Sequence, residues 1–419
     1  MASLADTPRA SHRRLFWIVV LLALSVLLNY IDRGAIGVAA PLMKAELGLS
    51  ATGFGIAVSA FFWVYAPLCL VVGWLCDRFC VYRMFAAGLA LWALSTMLTG
   101  FIHALAPLIA LRLLLGLGES IAFPGSSKII AAEIPAARRG SANALIAAAI
   151  AFGPAIGTLA GGTILAAAGW RPIFWIFGAL TLLWLLPWRM ASDPLRSRSL
   201  RAPTIEPAPF AALLRVRELW LMGVAHFCAN YGFYFLLAWL PLYLVNTLQF
   251  SIPEMTLVTT LGFVAQGVSA LALGRWSDAR VRAGADEGQL RRRVLLGAQG
   301  LLALAIAGLW LATGVWQVAA WLLLAGLAIG GISANIFAAA QIFAGPRRAG
   351  SWVGVQNAVG NCAGIVGPLI TGVIVDRLGG FGWAFAVAVT VSALGTLWWW
   401  KLLPQLRPIA EPDRVRAGT

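Results

Sequence analysis

The sequence is poor in charged residues. Only 11% of its 419 residues are Asp, Glu, Lys or Arg, whereas about a quarter of a soluble domain is charged. Hydrophobic residues make up 61% of the chain. This composition excludes an ordinary soluble protein, and no polar stretch between the apolar runs is long enough for a catalytic domain. The chain is therefore predicted to be a membrane protein and not an enzyme.

Motifs for ATP hydrolysis or metal binding are also missing. The chain contains no Gly-x-x-x-x-Gly-Lys-Ser/Thr loop, which excludes an ATP-driven pump. Its five cysteines are an odd number and lie in or beside apolar runs, so they predict no disulfide framework. Cys76 and Cys80 have a spacing seen in metal sites, but no His or third Cys stands near them to complete a tetrahedral site. No metal and no cofactor is expected.

Apolar runs dominate the chain, and we count about twelve of them. Each is long enough to cross about 30 Å of hydrocarbon at about 1.5 Å per residue. The predicted helices cover residues 15–37, 51–75, 83–103, 105–127, 140–167, 171–188, 217–246, 254–275, 293–313, 315–343, 351–375 and 381–403. The first run follows three arginines, as in a signal peptide, but has no small-residue cleavage site. We interpret it as an uncleaved first helix.

The basic residues are distributed unevenly among the breaks between these helices. A net charge of +15 in a soluble protein would suggest a nucleic-acid partner. Here the Lys and Arg residues concentrate in alternate breaks, and the other breaks hold only Lys44, Arg171 and Arg377. The positive-inside rule then predicts that both termini are cytoplasmic. We expect a multi-pass protein of the plasma (inner) membrane. Its surroundings are the lipid bilayer, and no nucleic acid is expected to bind.

The chain repeats itself at an offset of about 200 residues, as expected for duplicated helical bundles. Asn29-Tyr30 matches Asn230-Tyr231, and Gly153-Pro154 matches Gly367-Pro368. Six helices per half make this a parallel repeat about an axis along the membrane normal. We predict an all-α membrane protein with an N-terminal bundle (1–188), a cytoplasmic linker (189–216) and a C-terminal bundle (217–419). A substrate site would lie between the bundles.

Four charged residues fall well inside the apolar runs: Asp32, Arg33, Arg112 and Glu119. Each buried charge costs at least about 2.5–3.5 kcal/mol, so these residues need partners or water, and a functional cavity is expected. The alternative is that they form internal salt bridges, Asp32 with Arg33 and Arg112 with Glu119. The second pair is seven residues apart, about 10 Å along a helix, which is too far for direct contact. The residues that correspond to these four in the second half of the chain are uncharged.

Two sets of residues resemble known transporters. Gly73-Trp74-Leu75-Cys76-Asp77-Arg78, with Arg83 following, resembles the loop between helices two and three of the major facilitator superfamily. This resemblance implies twelve helices and a cytoplasmic gate that includes Gly73, Asp77, Arg78 and the repeat counterpart Asp278. Asn29-Tyr30-Ile31-Asp32-Arg33, together with Arg112-x-x-x-Gly116-x-Gly118-Glu119, resembles its anion:cation symporter family, which includes carriers of sugar acids and the sialin and vesicular glutamate transporters.

The second resemblance implies that Arg33 and Arg112 bind the substrate carboxylate while Asp32 and Glu119 carry the coupling proton. A guanidinium stays charged and grips a carboxylate through two parallel hydrogen bonds. A carboxyl group in a dry cleft is more readily protonated than one in water. We expect Arg33 to lie beside Asp32 and to oppose its protonation, which makes Glu119 the better candidate for the mobile proton.

Several uncharged polar residues complete the predicted substrate site. They are Tyr30, Tyr65, Asn230, Tyr234, Asn357 and Asn361. Asn230 and Tyr234 are one helical turn apart, as are Asn357 and Asn361, so each pair could bind a polyol or merely bridge two helices. A lone histidine, His226, has either a structural role or a role as a proton relay. The fifth helix is nearly all Ala and Ile from Asn143 to Phe152, where related sugar-acid carriers tend to have a glutamine, which favours a smaller or more apolar monocarboxylate.

The sequence thus predicts a monomeric, proton-coupled symporter that imports a small organic anion, such as a sugar acid or a monocarboxylate, by rocker-switch alternating access. Two alternatives remain open at this point. One is a proton-coupled antiporter that exports a metabolite or drug, although the two arginines argue against cationic drugs. The other is a sodium-coupled anion symporter, because a carboxylate can bind either ion.

Overall fold

The computed structural model describes residues 12–134, 136–199, 213–403 and 405–407, and the regular structure in these ranges is helical. The helices are α1 (His12–Glu46), α2 (Ala51–Arg78), α3 (Val81–Thr99), α4 (Leu105–Glu119), α5 (Ala122–Glu133), α6 (Ala136–Ala168), α7 (Arg171–Leu183), α8 (Leu185–Ser199), α9 (Arg217–Asn246), α10 (Ile252–Arg282), α11 (Glu287–Leu311), α12 (Val315–Leu378) and α13 (Gly382–Leu397). A π-helical turn, Trp398–Leu402, follows α13.

Twelve stretches within the described helices are long and apolar enough to cross a membrane, which confirms the predicted architecture. One stretch runs through α4 and α5, and another through α7 and α8. Helix α12 contains two, a first arm (Val315–Ala344) and a second arm (Ser351–Leu378). The sequence predicted a break between these arms, but the backbone remains helical through 345–350. The side chains of Arg347 and Arg348 lie outside the described part.

Helix α1 is longer than predicted. The sequence placed its end at residue 37, whereas the helix continues to Glu46 with Pro41 inside it. Residues 38–46 include Ala, Leu, Met, Lys and Glu, which are good helix formers and outweigh the one backbone donor that proline lacks. The turn that follows contains Gly48 at φ 59°, a conformation that favours glycine. This turn marks one end of the molecule, which we call the far face. The opposite end, where α1 begins, is the near face.

The helices pack in the same order in the two parts of the chain. In the first part α1 packs on α6, α2 on α4, and α3 on α7. In the second part α9 and α10 pack on α12, and α11 packs on α13. Contacts between the parts join α1 to α9, α2 to α12, and α6 to α10. The boundaries 1–188 and 217–419 stay predictions, and much of the predicted linker (189–216) lies outside the described residues, which end at Ser199 and resume at 213.

Backbones from the two parts approach closely at the far face. A Cβ atom on Gly55 of α2 would overlap the carbonyl oxygen of Pro368 in the second arm of α12. A Cβ on Gly372 would likewise overlap the carbonyl oxygen of Ala51. Small residues allow such close helix contacts in lipid. The two parts are therefore tightly packed on the far side of the membrane centre.

Candidate functional site

Arg33 of α1 forms an ion pair with Glu119 at the end of α4. Its Nε donates to Oε2 of Glu119 at 3.0 Å, and the two side chains are only 8% and 0% exposed. Neither of the two salt bridges considered from the sequence, Asp32–Arg33 and Arg112–Glu119, is the one observed here. Neighbouring residues on a helix do not face each other, so Asp32 and Arg33 point toward different helices. Breaking a buried pair by removing one partner costs about 3–5 kcal/mol, because the other charge is left without compensation.

Three aromatic rings surround the Arg33 guanidinium. Its Cζ lies 4.4 Å from the ring centroid of Tyr65, 5.0 Å from that of Phe61 and 5.4 Å from that of Tyr30. The rings of Tyr65 and Phe61 stack with 5.0 Å between their centroids. Aromatic faces attract a cation, most strongly where water is excluded. Tyr30 and Tyr65, both predicted as substrate ligands, thus contact Arg33 directly.

Asp32 faces α3. Its Oδ2 accepts hydrogen bonds from Nε1 of Trp92 and from Oγ1 of Thr96, the latter at 3.1 Å. Asp32 and its two donors are all nearly inaccessible to solvent. Both donors lie on one face of α3, since they are four residues apart. The carboxylate is therefore held by neutral donors and not by the neighbouring arginine.

Arg112 lies near Arg33, since both guanidinium groups lie close to the ring of Phe61. It is 6% exposed, and its Cζ lies 5.2 Å from the ring centroid of Phe61, the ring that also contacts Arg33. Within the described part of the chain, Nε of Arg112 and Nη2 of Arg33 have no hydrogen-bond partner. Buried donors are normally satisfied, so two orphaned guanidinium donors in one place indicate a site for an acceptor.

The two arginines line one small cavity between the two parts of the chain. Its walls are formed by Arg33, Ile36, Val58, Phe61, Phe62, Arg112, Tyr234, Leu237, Ala238 and Pro368. The cavity volume is about 20 Å³. This volume admits a water molecule and not an organic acid. The space beside the two arginines is therefore too small for such an acid.

The polar residues of the second part form a chain of hydrogen bonds. Tyr234 of α9 donates its hydroxyl to Oδ1 of Asn361 at 2.6 Å. Nδ2 of Asn361 donates to the carbonyl oxygen of Asn357 at 2.8 Å, and Nδ2 of Asn357 lies 3.9 Å from Sγ of Cys69. Of these residues only Tyr234 lines the cavity. The pairs predicted as polyol ligands are thus largely occupied with one another.

Two other predicted residues lie away from the cavity. Asn230 is half-buried on α9 and is not part of the wall. His226 is buried one turn before it, edge-on to the ring of Phe337 at 5.5 Å and beside Gly360. Its surroundings are those of a packed interior histidine.

The predicted gate residues lie toward the near face. Asp278 accepts from Nη2 of Arg291 at 3.0 Å, and the same guanidinium reaches Glu287 and Asn335. This network ties α10, α11 and the first arm of α12, all within the second part of the chain. Arg78 is exposed at the end of α2. Gly73 and Asp77 also lie on α2, but their side-chain surroundings are outside the described part.

Sequence reasoning missed the apolar wall and the donors to Asp32. Trp92 and Thr96 are 60 and 64 residues from Asp32 in the chain, and nothing in their local pattern distinguishes them from packing residues. The wall residues of α9, Leu237 and Ala238, follow Tyr234 by about one turn. That spacing is the only sequence signal that could have placed them on the same face.

The chain is similar to known membrane transporters. A family model described as the Major Facilitator Superfamily matches residues 22–278 and 223–418. The probable sulfoacetate transporter SauU of Cupriavidus necator is 29% identical, covering 91% of this chain and 92% of that protein. The probable galactarate/D-glucarate transporter GudP of Escherichia coli is 28% identical over 94% of this chain and 95% of its own length. The hexuronate transporter of Bacillus subtilis is 27% identical, with 94% of each chain covered.

A solved structure supports the same fold. The inward-facing, unoccupied form of a bacterial homologue of the human lysosomal transporter Spinster superposes with a TM-score of 0.75. The match covers 93% of this chain and 97% of that one at 16% sequence identity. At this identity the likeness concerns the fold, and it agrees with the twelve-helix architecture predicted from the sequence.

Proposed function

The chain belongs to the major facilitator superfamily and is a transporter, not an enzyme, and from this premise we propose that it imports a small organic anion together with protons. The observation that carries the proposal is the pair of buried arginines, Arg33 and Arg112, lining one cavity between the two parts of the chain. Relatives named as carriers of sulfoacetate, galactarate or D-glucarate, and hexuronates support an anionic substrate. Sugar acids and monocarboxylates are the candidate classes.

Proton coupling is proposed to arise from competition for Arg33. When Glu119 is ionised, it holds Nε of Arg33 at 3.0 Å and competes with a substrate carboxylate for that cation. A proton on Glu119 removes its charge and weakens the pair, so Arg33 can turn to a substrate carboxylate. Arg112, which is not within salt-bridge distance of any described acid, provides the second cation. Substrate and proton would then bind together, which is the condition for symport.

Asp32 is proposed as the second proton carrier. The preference for Glu119 was based on the expectation that Arg33 would lie beside Asp32, and Arg33 instead pairs with Glu119. Glu119 remains the leading candidate for a different reason, because its ionisation decides whether Arg33 is available. Asp32, held by Trp92 and Thr96, would respond to movement of α3 relative to α1.

Transport is proposed to proceed by rocking of the two parts of the chain about this cavity. Charge placement favours the near face as the cytoplasmic one, with the protein in the inner membrane and both termini inside. The close contacts at the far face would then hold the outside closed. The cavity must widen before an organic anion enters, since its present volume is about 20 Å³.

Uptake by proteoliposomes tests the proposal. Purified protein is reconstituted, a pH gradient is imposed, and accumulation of sulfoacetate, D-glucarate, a hexuronate and short monocarboxylates is measured. We expect one class of acid to accumulate against its gradient. Accumulation that persists after the pH gradient is collapsed but requires sodium would reject proton coupling. Efflux of the acid driven by the same gradient would indicate antiport.

Two substitutions test the assigned roles. Arg112→Lys should abolish uptake without unfolding the protein, because an ammonium group cannot form the two parallel hydrogen bonds that a planar guanidinium makes to a carboxylate. Arg171→Lys, an arginine at the far face that does not line the cavity, is the matched control and should retain uptake. Glu119→Gln should lose uphill accumulation but keep exchange of labelled for unlabelled substrate. Wild-type uptake in Arg112→Lys would contradict the proposed site.

A further inference from the structure

The wall opposite the arginines is apolar, and from it we infer that the substrate carries its anionic group on a hydrocarbon body and not on a polyhydroxylated one. This inference rests on the proposed function and narrows its substrate class. It concerns the part of the cavity that receives the body of the anion, whereas the arginines receive its charged group.

Both parts of the chain contribute to this apolar wall. Ile36, Val58 and Phe62 come from α1 and α2, while Leu237, Ala238 and Pro368 come from α9 and the second arm of α12. The remaining lining residues are Phe61, the two arginines and Tyr234. No residue of α6, the helix in which related sugar-acid carriers tend to have a glutamine, is among the described lining residues.

The polar groups nearest the wall are already engaged. The hydroxyl of Tyr234 donates its proton to Oδ1 of Asn361 at 2.6 Å. Asn361 in turn donates to the carbonyl oxygen of Asn357 at 2.8 Å. The tyrosine oxygen can still accept one hydrogen bond, but a polyol presents several hydroxyl groups. The wall therefore offers far fewer partners than such a substrate needs.

Unpaired hydroxyl groups are costly in this environment. Each hydroxyl that loses water and gains no partner weakens binding by about tenfold or more. Hydrocarbon surface, in contrast, gains from contact with leucine, proline and phenylalanine side chains. A widening of the cavity adds space, but these side chains lie on the helix faces that already meet there. The preference should therefore persist when the site opens.

Two acids with one carbon skeleton test the inference. Cyclohexanecarboxylate and quinate share a six-membered ring with a carboxylate, and quinate adds four hydroxyl groups. Binding to the purified transporter is measured by thermal shift across a concentration series, and entry is measured in proteoliposomes. We expect cyclohexanecarboxylate to bind at least tenfold more tightly than quinate, and Arg112→Lys to remove this binding.

A substitution on the wall tests which residues set the preference. Leu237→Asn keeps the shape of the side chain and adds a hydrogen-bond donor and an acceptor, so it should reduce the preference for cyclohexanecarboxylate several-fold. Leu236→Asn is the matched control, since Leu236 is also buried but does not line the cavity. It should leave the ratio of the two affinities unchanged. The melting temperature without ligand identifies a variant that fails to fold. In that case the affinities of the wild-type protein for cyclohexanecarboxylate and quinate alone test the inference.

The outcomes separate the inference from the proposed function. Equal or tighter binding of quinate, lost in Arg112→Lys, overturns the hydrocarbon body while the anion carrier stands. Binding of neither acid also overturns the inference, and Arg112-dependent binding of sulfoacetate or D-glucarate would then preserve the proposed function. If no acid binds in an Arg112-dependent way, both fail.

Discussion

Asp376 joins the two parts of the chain at the far face, and its replacement by Asn is expected to favour opening there. Its carboxylate accepts hydrogen bonds from the backbone N–H groups of Ala51 at 2.9 Å and Thr52 at 2.6 Å. These groups lie in the first turn of α2, where unpaired donors and the helix dipole favour a negative charge. Asparagine retains one acceptor oxygen and loses the charge.

The size of the effect follows from this geometry. Replacement of a capping side chain typically costs about 0.5–2 kcal/mol. Asp376 is exposed, so solvent screening keeps the loss near the lower end, about 0.5–1 kcal/mol. Opening of the far face would move Asp376 away from the first turn of α2 and break both bonds, so the whole loss should act on the balance between closed and open molecules. The ratio should shift about two- to fivefold toward the open form.

Distances between spin labels would measure this shift. Ala104 and Trp316 are exposed far-face positions in the first and second parts of the chain. The five native cysteines are replaced, and a cysteine carrying a spin label is placed at each of these two positions. Double electron–electron resonance then measures the distance between the labels. Asp376→Asn should raise the population at long distance. The control is Glu254→Gln, which removes a carboxylate that caps α10 through Ser251 within its own part. Identical distance distributions for wild type and Asp376→Asn would refute the reasoning, as would an equal shift in Glu254→Gln.

Three further substitutions have defined outcomes. Trp92→Phe removes a donor to the buried carboxylate of Asp32 and should cost about 1.5–3 kcal/mol, measured as a lower midpoint of thermal unfolding. Gly55→Val forces a side chain against the carbonyl oxygen of Pro368, and overpacking of about 1–3 kcal/mol should lengthen the far-face label distance. Arg171→Ala loses bonds to two loop carbonyls and to a carboxylate, and should lower the unfolding midpoint by about 1–2 kcal/mol while uptake in proteoliposomes is retained.

Most of the fold was predictable from hydropathy. Apolar runs of about twenty residues, separated by Arg-rich or Gly/Pro-rich breaks, specify where helices cross a membrane, because backbone groups in lipid must be satisfied within a helix. The run from Arg217 to Asn246 was predicted to the residue. Helix ends were harder to predict where good helix formers continued past the apolar run, as in α1 after residue 37. The break at 344–350 was predicted from its two arginines, two glycines and one proline, and the backbone there remains helical.

The members of the site were more predictable than their partners. Buried charge is costly enough to identify Asp32, Arg33, Arg112 and Glu119 from the sequence. Which acid holds Arg33 was not predictable, because it depends on how α1 is rotated against α3 and α4. Asp32 and Arg33 are adjacent in the sequence but contact different helices. The hydrogen bonds of Asp376 to the other part of the chain also left no signal in the sequence, since they join residues more than 320 positions apart.

The rings around Arg33 bear on how a cation can change partners inside a membrane. Tyr30, Phe61 and Tyr65 belong to two helices, and their ring centroids lie 4.4–5.4 Å from Cζ of the guanidinium. Because an aromatic face attracts positive charge whatever the state of nearby acids, the arginine keeps favourable neighbours while one anion departs and another arrives. The arginine can then exchange one carboxylate for another without becoming an uncompensated charge in hydrocarbon. The energy barrier to this exchange is lower for that reason.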